Sequence, residues 1–365
     1  MKRVGLYCRE LARQGTGPAE YVRAMVAAIL KYPDPRLELA LILPKACPRP
    51  AGADKAFCVE IPEAHRLLQD HWHAPRAVNP LGLDALWLPK NVTPYGLRCK
   101  PVVTLLDLAY FRPEYDAYPF ADTVYMKAMM RRTARRAAHI VAISEATKRD
   151  AVEILTVPED KISVVYPAVS DAFRVINSPE ALDAVRKRLG LPEQFLFFAG
   201  SLTPRKNLAR LLMAFAKVKS DIPHGVVVTG ALSYGIRDFH RLVADMQDRL
   251  VVLGKVPPQD LPAIYNLAAL YAHVSLYEGF GLTVVEAQAC GTAVLNSTAS
   301  CMPEVGGPGA LYVDPLDVDC IADGILRLVQ DEALRDDLVR KGFENVKRFK
   351  PETSARQLQE ILASC

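Results

Sequence analysis

Two glutamates eight residues apart, Glu278 and Glu286, bracket the stretch Gly279-Phe280-Gly281-Leu282. The apolar run Leu270 to Leu276 reads as a buried strand, and the residues from about Leu282 to Cys290 read as a helix closed by Gly291, which tolerates a left-handed backbone. A glycine loop between strand and helix leaves the first N–H groups of the helix unpaired at the positive end of its dipole, which suits a phosphate or diphosphate. A carboxylate there repels phosphate but accepts hydrogen bonds from sugar hydroxyls. With a tight turn between them, both glutamates can face one crevice. A single ligand with hydroxyls at both ends and a diphosphate in the middle is a nucleotide-sugar. The competing reading is a plain strand–turn–helix connection with solvated glutamates.

A second group of residues carries the opposite charge. After the apolar run Phe195 to Gly200 comes Ser201-Leu-Thr-Pro-Arg205-Lys206-Asn207, then an amphipathic helix through Leu208, Leu211, Leu212 and Phe215. An Arg and a Lys beside a helix N-terminus can neutralise two phosphate charges as a bond to a sugar breaks; otherwise they form a solvated basic turn. Asp107 closes the apolar strand Lys100 to Leu106. Strand C-termini are where ligand groups gather in open α/β sheets, though an Asp there equally caps a turn. In Gln69-Asp-His71-Trp72-His73 the two histidines would share a face of an extended segment and could hold a metal. No third ligand accompanies them, and contact of Trp72 with a sugar is the other option.

These residues need strands and helices to position them, and the chain supplies both in alternation. Val4 to Cys8 is a first strand; Gly15 and Gly17 lie in the turn before a helix, with Pro18 where its missing N–H costs nothing. The turn is not a complete G-x-G-x-x-G and lacks the acidic partner of a dinucleotide site, which argues against a dehydrogenase. Further strands are Leu37 to Leu43, Asp84 to Leu88 and Ala138 to Ile143, the last running into a helix capped by Ser144. Residues 44–80, rich in Pro, Ala and His, carry no assignable pattern. A linker follows Tyr166, and the rhythm restarts with strands at 225–230, 249–254 and 293–295. The expectation is two Rossmann-like α/β domains facing a central cleft, residues 1–172 and 173–349.

Composition narrows the partners. A net charge of +4 over 365 residues is too small to point to nucleic acid. Eight cysteines show no C-x-x-C pair or zinc spacing, and no signal peptide is evident, so they read as reduced thiols of a cytoplasmic protein. No run of 18 apolar residues is present to span a membrane. The helix predicted over 121–138 carries Lys127, Arg131, Arg132, Arg135 and Arg136. Their side is either a solvated face with its stems over the core or, with the rest of the basic 127–149 region, a peripheral contact with anionic lipid.

The longer string Glu278-Gly-Phe-Gly-Leu-x-x-x-Glu286-Ala-x-Ala-x-Gly291-Thr-x-Val294 closely resembles the signature of family-4 retaining glycosyltransferases of the GT-B fold. Pro204-Arg-Lys-Asn-Leu208 resembles that family's diphosphate-binding loop. The resemblance is strongest over 195–315, moderate over 101–170 and weakest over 44–80, and it implies that a C-terminal helix at about 350–365 returns to the first domain. It implies transfer of a hexose from a nucleotide-sugar, GDP-mannose ahead of UDP-hexoses, to a glycan or lipid-linked acceptor hydroxyl, with no cofactor and no bound metal. Glu286 would hold the ribose, and Glu278 sugar hydroxyls near the reacting carbon. Arg205, Lys206 and the N–H groups around Phe280, Gly281 and Leu282 would hold the diphosphate. Lys255 and Val256 would lie at the base, and Gly15 and Gly17 opposite the donor phosphates.

Two departures stand out. The family's usual His before Asp107 is Leu106 here, which leaves Asp107 as the polar group carried over. Ser201 and Leu202 stand where many relatives place a further Arg. A sugar-nucleotide epimerase and a non-catalytic nucleotide-sugar-binding protein are the alternatives.

Overall fold

The computed structural model describes residues 1–13, 15–45, 47–115, 118–230, 246 and 249–365. They form two compact units. One comprises residues 1–111, 120–168 and 349–365, the other 112–119 and 169–348. The division falls at 168/169, and a short excursion of the first half belongs to the second unit.

The first unit holds one seven-stranded parallel sheet: Lys2–Tyr7 (β1), Leu37–Pro44 (β2), Phe57–Ile61 (β3), Ala85–Leu88 (β4), Lys100–Leu105 (β5), His139–Ala142 (β6) and Ile162–Val164 (β7), in the order β3-β2-β1-β4-β5-β6-β7. The second holds Phe195–Ala199 (β8), Gly225–Thr229 (β9), Leu250–Gly254 (β10), Leu270–His273 (β11), Val294–Ser297 (β12) and Leu311–Val313 (β13), in the order β10-β9-β8-β11-β12-β13. Both orders reverse direction once, between β1 and β4 and between β8 and β11. Outside the strand ends at such a reversal two loops diverge and leave a crevice, the usual ligand position of this architecture.

Sheets covered on both faces must be apolar on both faces, and β8, reading Phe-Leu-Phe-Phe-Ala, is buried at every position. The helix Leu208–Val218 packs Leu211, Leu212 and Phe215 into one core with Phe198, Val226, Val228 and the helix Val318–Gln330. In the first unit the helix Gly17–Lys31 starts at Thr16, whose hydroxyl accepts from Ala19 N, with Pro18 in the first turn. The C-terminal helix Pro351–Ser364 lies against it: Gln359 accepts from Asp34 N at 2.8 Å and donates to Tyr32 O at 2.9 Å.

Three expectations need correction. Residues 44–80 contain β3 and a chain of short helical turns that composition alone did not reveal. Gln69–His73 is a π-helical turn, so His71 and His73 do not share an extended face. The nitrogens of His71 are both engaged, Nδ1 accepting from Tyr95 N and Nε2 lying 2.8 Å from the Tyr125 hydroxyl. Finally, β11 stops at His273 rather than running to Leu276, because Leu276 N leaves the sheet to bond Arg205 O at 2.8 Å.

Candidate active site

That bond draws together the two sequence groups singled out above. The loop after β8 and the loop after β11 flank the reversal point of the second sheet. Asn207, with a left-handed backbone (φ 63°), is buried between them and donates to Val274 O and Pro315 O. Arg205 Nη1 donates to Tyr277 O at 2.9 Å and to Glu278 Oε2 at 2.8 Å, and Lys206 Nζ lies 2.6 Å from Glu278 Oε1. The lysine contact is a close ion pair without good hydrogen-bond angles, so Oε1 keeps acceptor capacity for another donor.

The glycines here have steric work. Gly200 (φ +135°) takes a backbone that other residues rarely adopt, and an ideal Cβ there would stand in ordinary contact with Lys206, 3.4 and 3.5 Å from Cε and Nζ. A Cβ on Gly230 (φ +133°) would sit 1.8 Å from Gly200 O, and Gly230 N donates to Gly254 O at 2.7 Å. The ends of three neighbouring strands are thereby drawn close together. Gly281 (φ +89°) starts the helix Leu282–Ala289, and a Cβ there would meet Met302 at 2.7 Å. Ser300 and Cys301 fix the preceding turn by donating to Glu278 O, and Cys301 also to Phe280 O.

The electrostatics follow from burial and pairing. Burial opposes ionisation of Glu278, but Arg205 and Lys206 outweigh it and hold the carboxyl far below the ordinary range. Burial lowers the Lys206 ammonium, with Glu278 acting against it. His273, buried at the end of β11, is pushed down to about 3 by burial and by the neighbouring Lys206, and so is neutral near pH 7. It lies 3.0 Å from the Tyr271 hydroxyl and 3.3 Å from that of Ser275. Glu286, half-buried, accepts from Tyr265 OH at 3.3 Å, and the ring of Tyr265 packs edge-on to Tyr271. The two glutamates are thus joined through Tyr265, Tyr271 and His273. Sequence reasoning missed the last three. The available signal was a Tyr and a His in the otherwise apolar β11, which ends at the ligand side of the sheet, and a Tyr on the helix Leu261–Leu267 before it.

The other expected residues stand on other elements. Lys255 and Val256 follow β10, two strands from β8, with Lys255 exposed. Asp107 accepts from Ala109 N at 3.1 Å and so caps the turn after β5. Gly15 (φ +67°) and Gly17 belong to the first unit, and neither has an atom within 4 Å of an ideal Cβ. Ser201 is exposed and Leu202 is buried in the core, so neither supplies the cation some relatives place there. Among the described residues no group of three or more His, Cys, Asp or Glu is arranged to hold a metal.

A carboxylate clamped by two cations at the reversal point of a doubly wound sheet, beside a glycine-started helix, marks a site for an anion that also carries hydroxyls. Residues 183–345 match the family described as glycosyl transferases group 1, and residues 44–173 match glycosyltransferase family 4. The chain belongs to these glycosyltransferases, and its fold is GT-B. The O-antigen chain mannosyltransferase B of Escherichia coli is 28% identical over 274 residues, 74% of this chain and 71% of that protein. The serotype-specific mannosyltransferase WbdA of E. coli is 27% identical over 63% of this chain, which spans only 31% of that longer protein. The structure of Anabaena Alr3699/HepE in complex with UDP-glucose superposes with a TM-score of 0.76 over all of both chains at 17% identity.

Proposed function

We propose that the chain transfers a hexose from a nucleotide-sugar to a hydroxyl of a glycan or lipid-linked acceptor, with retention at the anomeric carbon. The observation that carries this is the clamp of Arg205 and Lys206 on Glu278, which offers two cations to a diphosphate and one ionised oxygen to sugar hydroxyls. GDP-mannose is the favoured donor, supported by relatives named as mannosyltransferases; UDP-hexoses come second.

In this reading the diphosphate lies against Arg205, Lys206 and the first N–H groups of the helix Leu282–Ala289, Glu286 holds the ribose, and the base extends toward Lys255 and Val256. No metal is assigned. Glu278 orients the sugar and does not attack it, because each of its oxygens already faces a cation. The bond from the anomeric carbon to the phosphate oxygen breaks, the acceptor oxygen bonds on the same face, and its proton passes to the departing phosphate. Fixed cations in a dry site stabilise the charge developing on that leaving group.

Contact with an anionic membrane fits the helix Phe120–Arg136. It exposes Phe120 and Val124 among its basic residues, and Arg66 pairs with Asp122 beside exposed Leu67 and Leu68. Among the described residues no helix is long and apolar enough to cross a membrane.

The test is incubation with GDP-mannose or UDP-glucose and a panel of glycan acceptors, following released nucleotide and the anomeric configuration of the product by NMR. Nucleotide release that depends on acceptor, with an α-linked product from an α-donor, is expected. Binding of nucleotide without turnover would favour the non-catalytic alternative, which the leucine at position 106 keeps in view.

A further inference from the structure

His273 ends β11 beside the loop that carries Glu278. It is 1% exposed, and its neighbours Ala272 and Val274 are apolar and fully buried. A polar ring in that place costs stability unless its nitrogens find partners.

Both nitrogens are surrounded. Nδ1 lies 3.0 Å from the Tyr271 hydroxyl and 3.5 Å from that of Thr283, in the first turn of the helix Leu282–Ala289. Nε2 lies 3.3 Å from the Ser275 hydroxyl and 3.8 Å from Glu278 Oε1. It would also stand 3.7 Å from a Cβ placed on Gly281. One ring thus touches the end of a strand, the carboxylate of the loop and the start of the following helix.

Burial and the nearby Lys206 keep this imidazole neutral. A neutral imidazole has one N–H and one bare nitrogen, and its partners decide which is which. Burial holds the hydroxyls of Tyr265 and Tyr271 far above their ordinary range, so both keep their protons. Tyr265 directs its O–H to Glu286 Oε2 at 3.3 Å. Tyr271 is the nearest hydroxyl to Nδ1, which can accept its O–H. Nε2 then carries the hydrogen and faces Ser275 and Glu278 Oε1, a buried oxygen that makes no hydrogen bond among the described residues. The opposite tautomer would set a lone pair against that carboxylate oxygen, which a low local dielectric makes costly.

We propose that His273, as its Nε2–H tautomer, is the positioning residue for the donor sugar: its N–H attracts Glu278 Oε1 across 3.8 Å and fixes the direction in which that carboxylate meets a sugar hydroxyl. The inference rests on the transferase reading above and adds to it a residue that acts through Glu278. The sugar half of the donor should therefore feel a change at position 273, and the nucleoside diphosphate half should not.

The experiment uses the full chain. Calorimetry would compare GDP and UDP with GDP-mannose and UDP-glucose, and nucleotide release would be followed with the glycan acceptors, in wild type, His273→Phe, His273→Gln and His273→Asn. Phe keeps a ring and loses both nitrogens, Gln places an N–H near the Nε2 position, and Asn reaches only the Nδ1 position. His273→Phe should lower kcat and nucleotide-sugar affinity about tenfold, within the range of coupling between side chains of one network, with nucleoside diphosphate affinity nearly unchanged. His273→Gln should restore part of the loss and His273→Asn none. In wild type at pH 7, ¹⁵N NMR should show a protonated Nε2 and a bare Nδ1, the signals being identified by their absence from whichever variant folds. A proton on Nδ1 would overturn the proposal. So would full sugar binding and turnover in His273→Phe, or equal losses for nucleoside diphosphate and nucleotide-sugar, either of which would leave His273 a packing residue. Wild type that binds none of the four ligands ends the transferase reading and this proposal with it, whereas wild-type turnover beside an unimpaired His273→Phe ends this proposal alone.

Discussion

The two units repeat one strand order and gather charged residues at the same topological position, yet the two clusters are built differently. In the second unit one buried carboxylate, Glu278, is shared by Arg205 and Lys206, with His273 neutral. In the first, Arg9, Arg13 and Lys90 spread over two buried carboxylates, Glu10 and Asp70. The second cluster draws its cations from one short loop beside a helix start, and the first from separate elements. The fold fixes where such a cluster sits, and its own side chains fix what it can hold.

The largest break in this comparison should come from removing a cation of the second cluster. Arg205→Ala or Lys206→Ala should lower kcat about 10²- to 10³-fold, the scale for losing one charge-stabilising donor, and weaken GDP or UDP binding. Lys90→Ala in the first unit's cluster should leave nucleotide affinity unchanged by calorimetry.

The strand-end glycines come next. Gly230→Ala drives a methyl group into Gly200 O and should cost about 3 kcal/mol or more in denaturant unfolding, a severe loss for one residue. Gly15→Ala, at a left-handed φ of +67° and in open space, should cost only about 1–2 kcal/mol.

His273 should give the second unit a distinctive acid response. Its folded value of about 3 lies below the ordinary 6.5, so the unfolded chain binds a proton that the folded chain refuses. Stability from this group is complete above about pH 6.5 and falls as pH drops from there toward 3, by at most about 1.4 kcal/mol per pH unit. Denaturation between pH 7 and 5, above the range where carboxylates protonate, should show this slope in the wild type and a shallower one in His273→Gln.

Smaller effects sharpen the same contrast. Glu278→Gln removes the carboxylate that both cations face and should tighten nucleoside diphosphate binding by up to about tenfold, roughly 1.4 kcal/mol, while transfer falls because the ionised acceptor for sugar hydroxyls is gone. Asp107→Ala should cost about 1 kcal/mol of stability, the scale of one local side-chain cap. A much larger loss of kcat would show that Asp107 acts in the reaction and not only in the turn.

The second site was far more legible in the sequence than the first, for a physical reason. Glu278, Gly281 and Glu286 lie on one continuous strand–loop–helix, and Arg205 and Lys206 on another, so spacing alone places them on the ligand side. The charged cluster of the first unit draws on residues 9–13, 70 and 90, which no local period connects. Its key acid, Asp70, sits in a π-helical turn within a stretch whose composition favours no element. His273 was hidden because burial in a strand end, not sequence spacing, gives it its role. The close approach of Gly230 to Gly200 is likewise a property of two neighbouring strands, invisible along either.

The central claim is that the second unit binds a nucleoside diphosphate sugar through Arg205, Lys206, Glu278 and Glu286. Thermal unfolding with GDP, UDP, GDP-mannose and UDP-glucose, on wild type and Glu286→Ala, tests it most directly. A ligand at about 100 times its Kd stabilises by roughly 2.7 kcal/mol. A clear upward shift is expected with the ligands of one base, GDP-mannose foremost, and its loss in Glu286→Ala. No shift with any of the four would contradict it and return the paired glutamates to a structural turn.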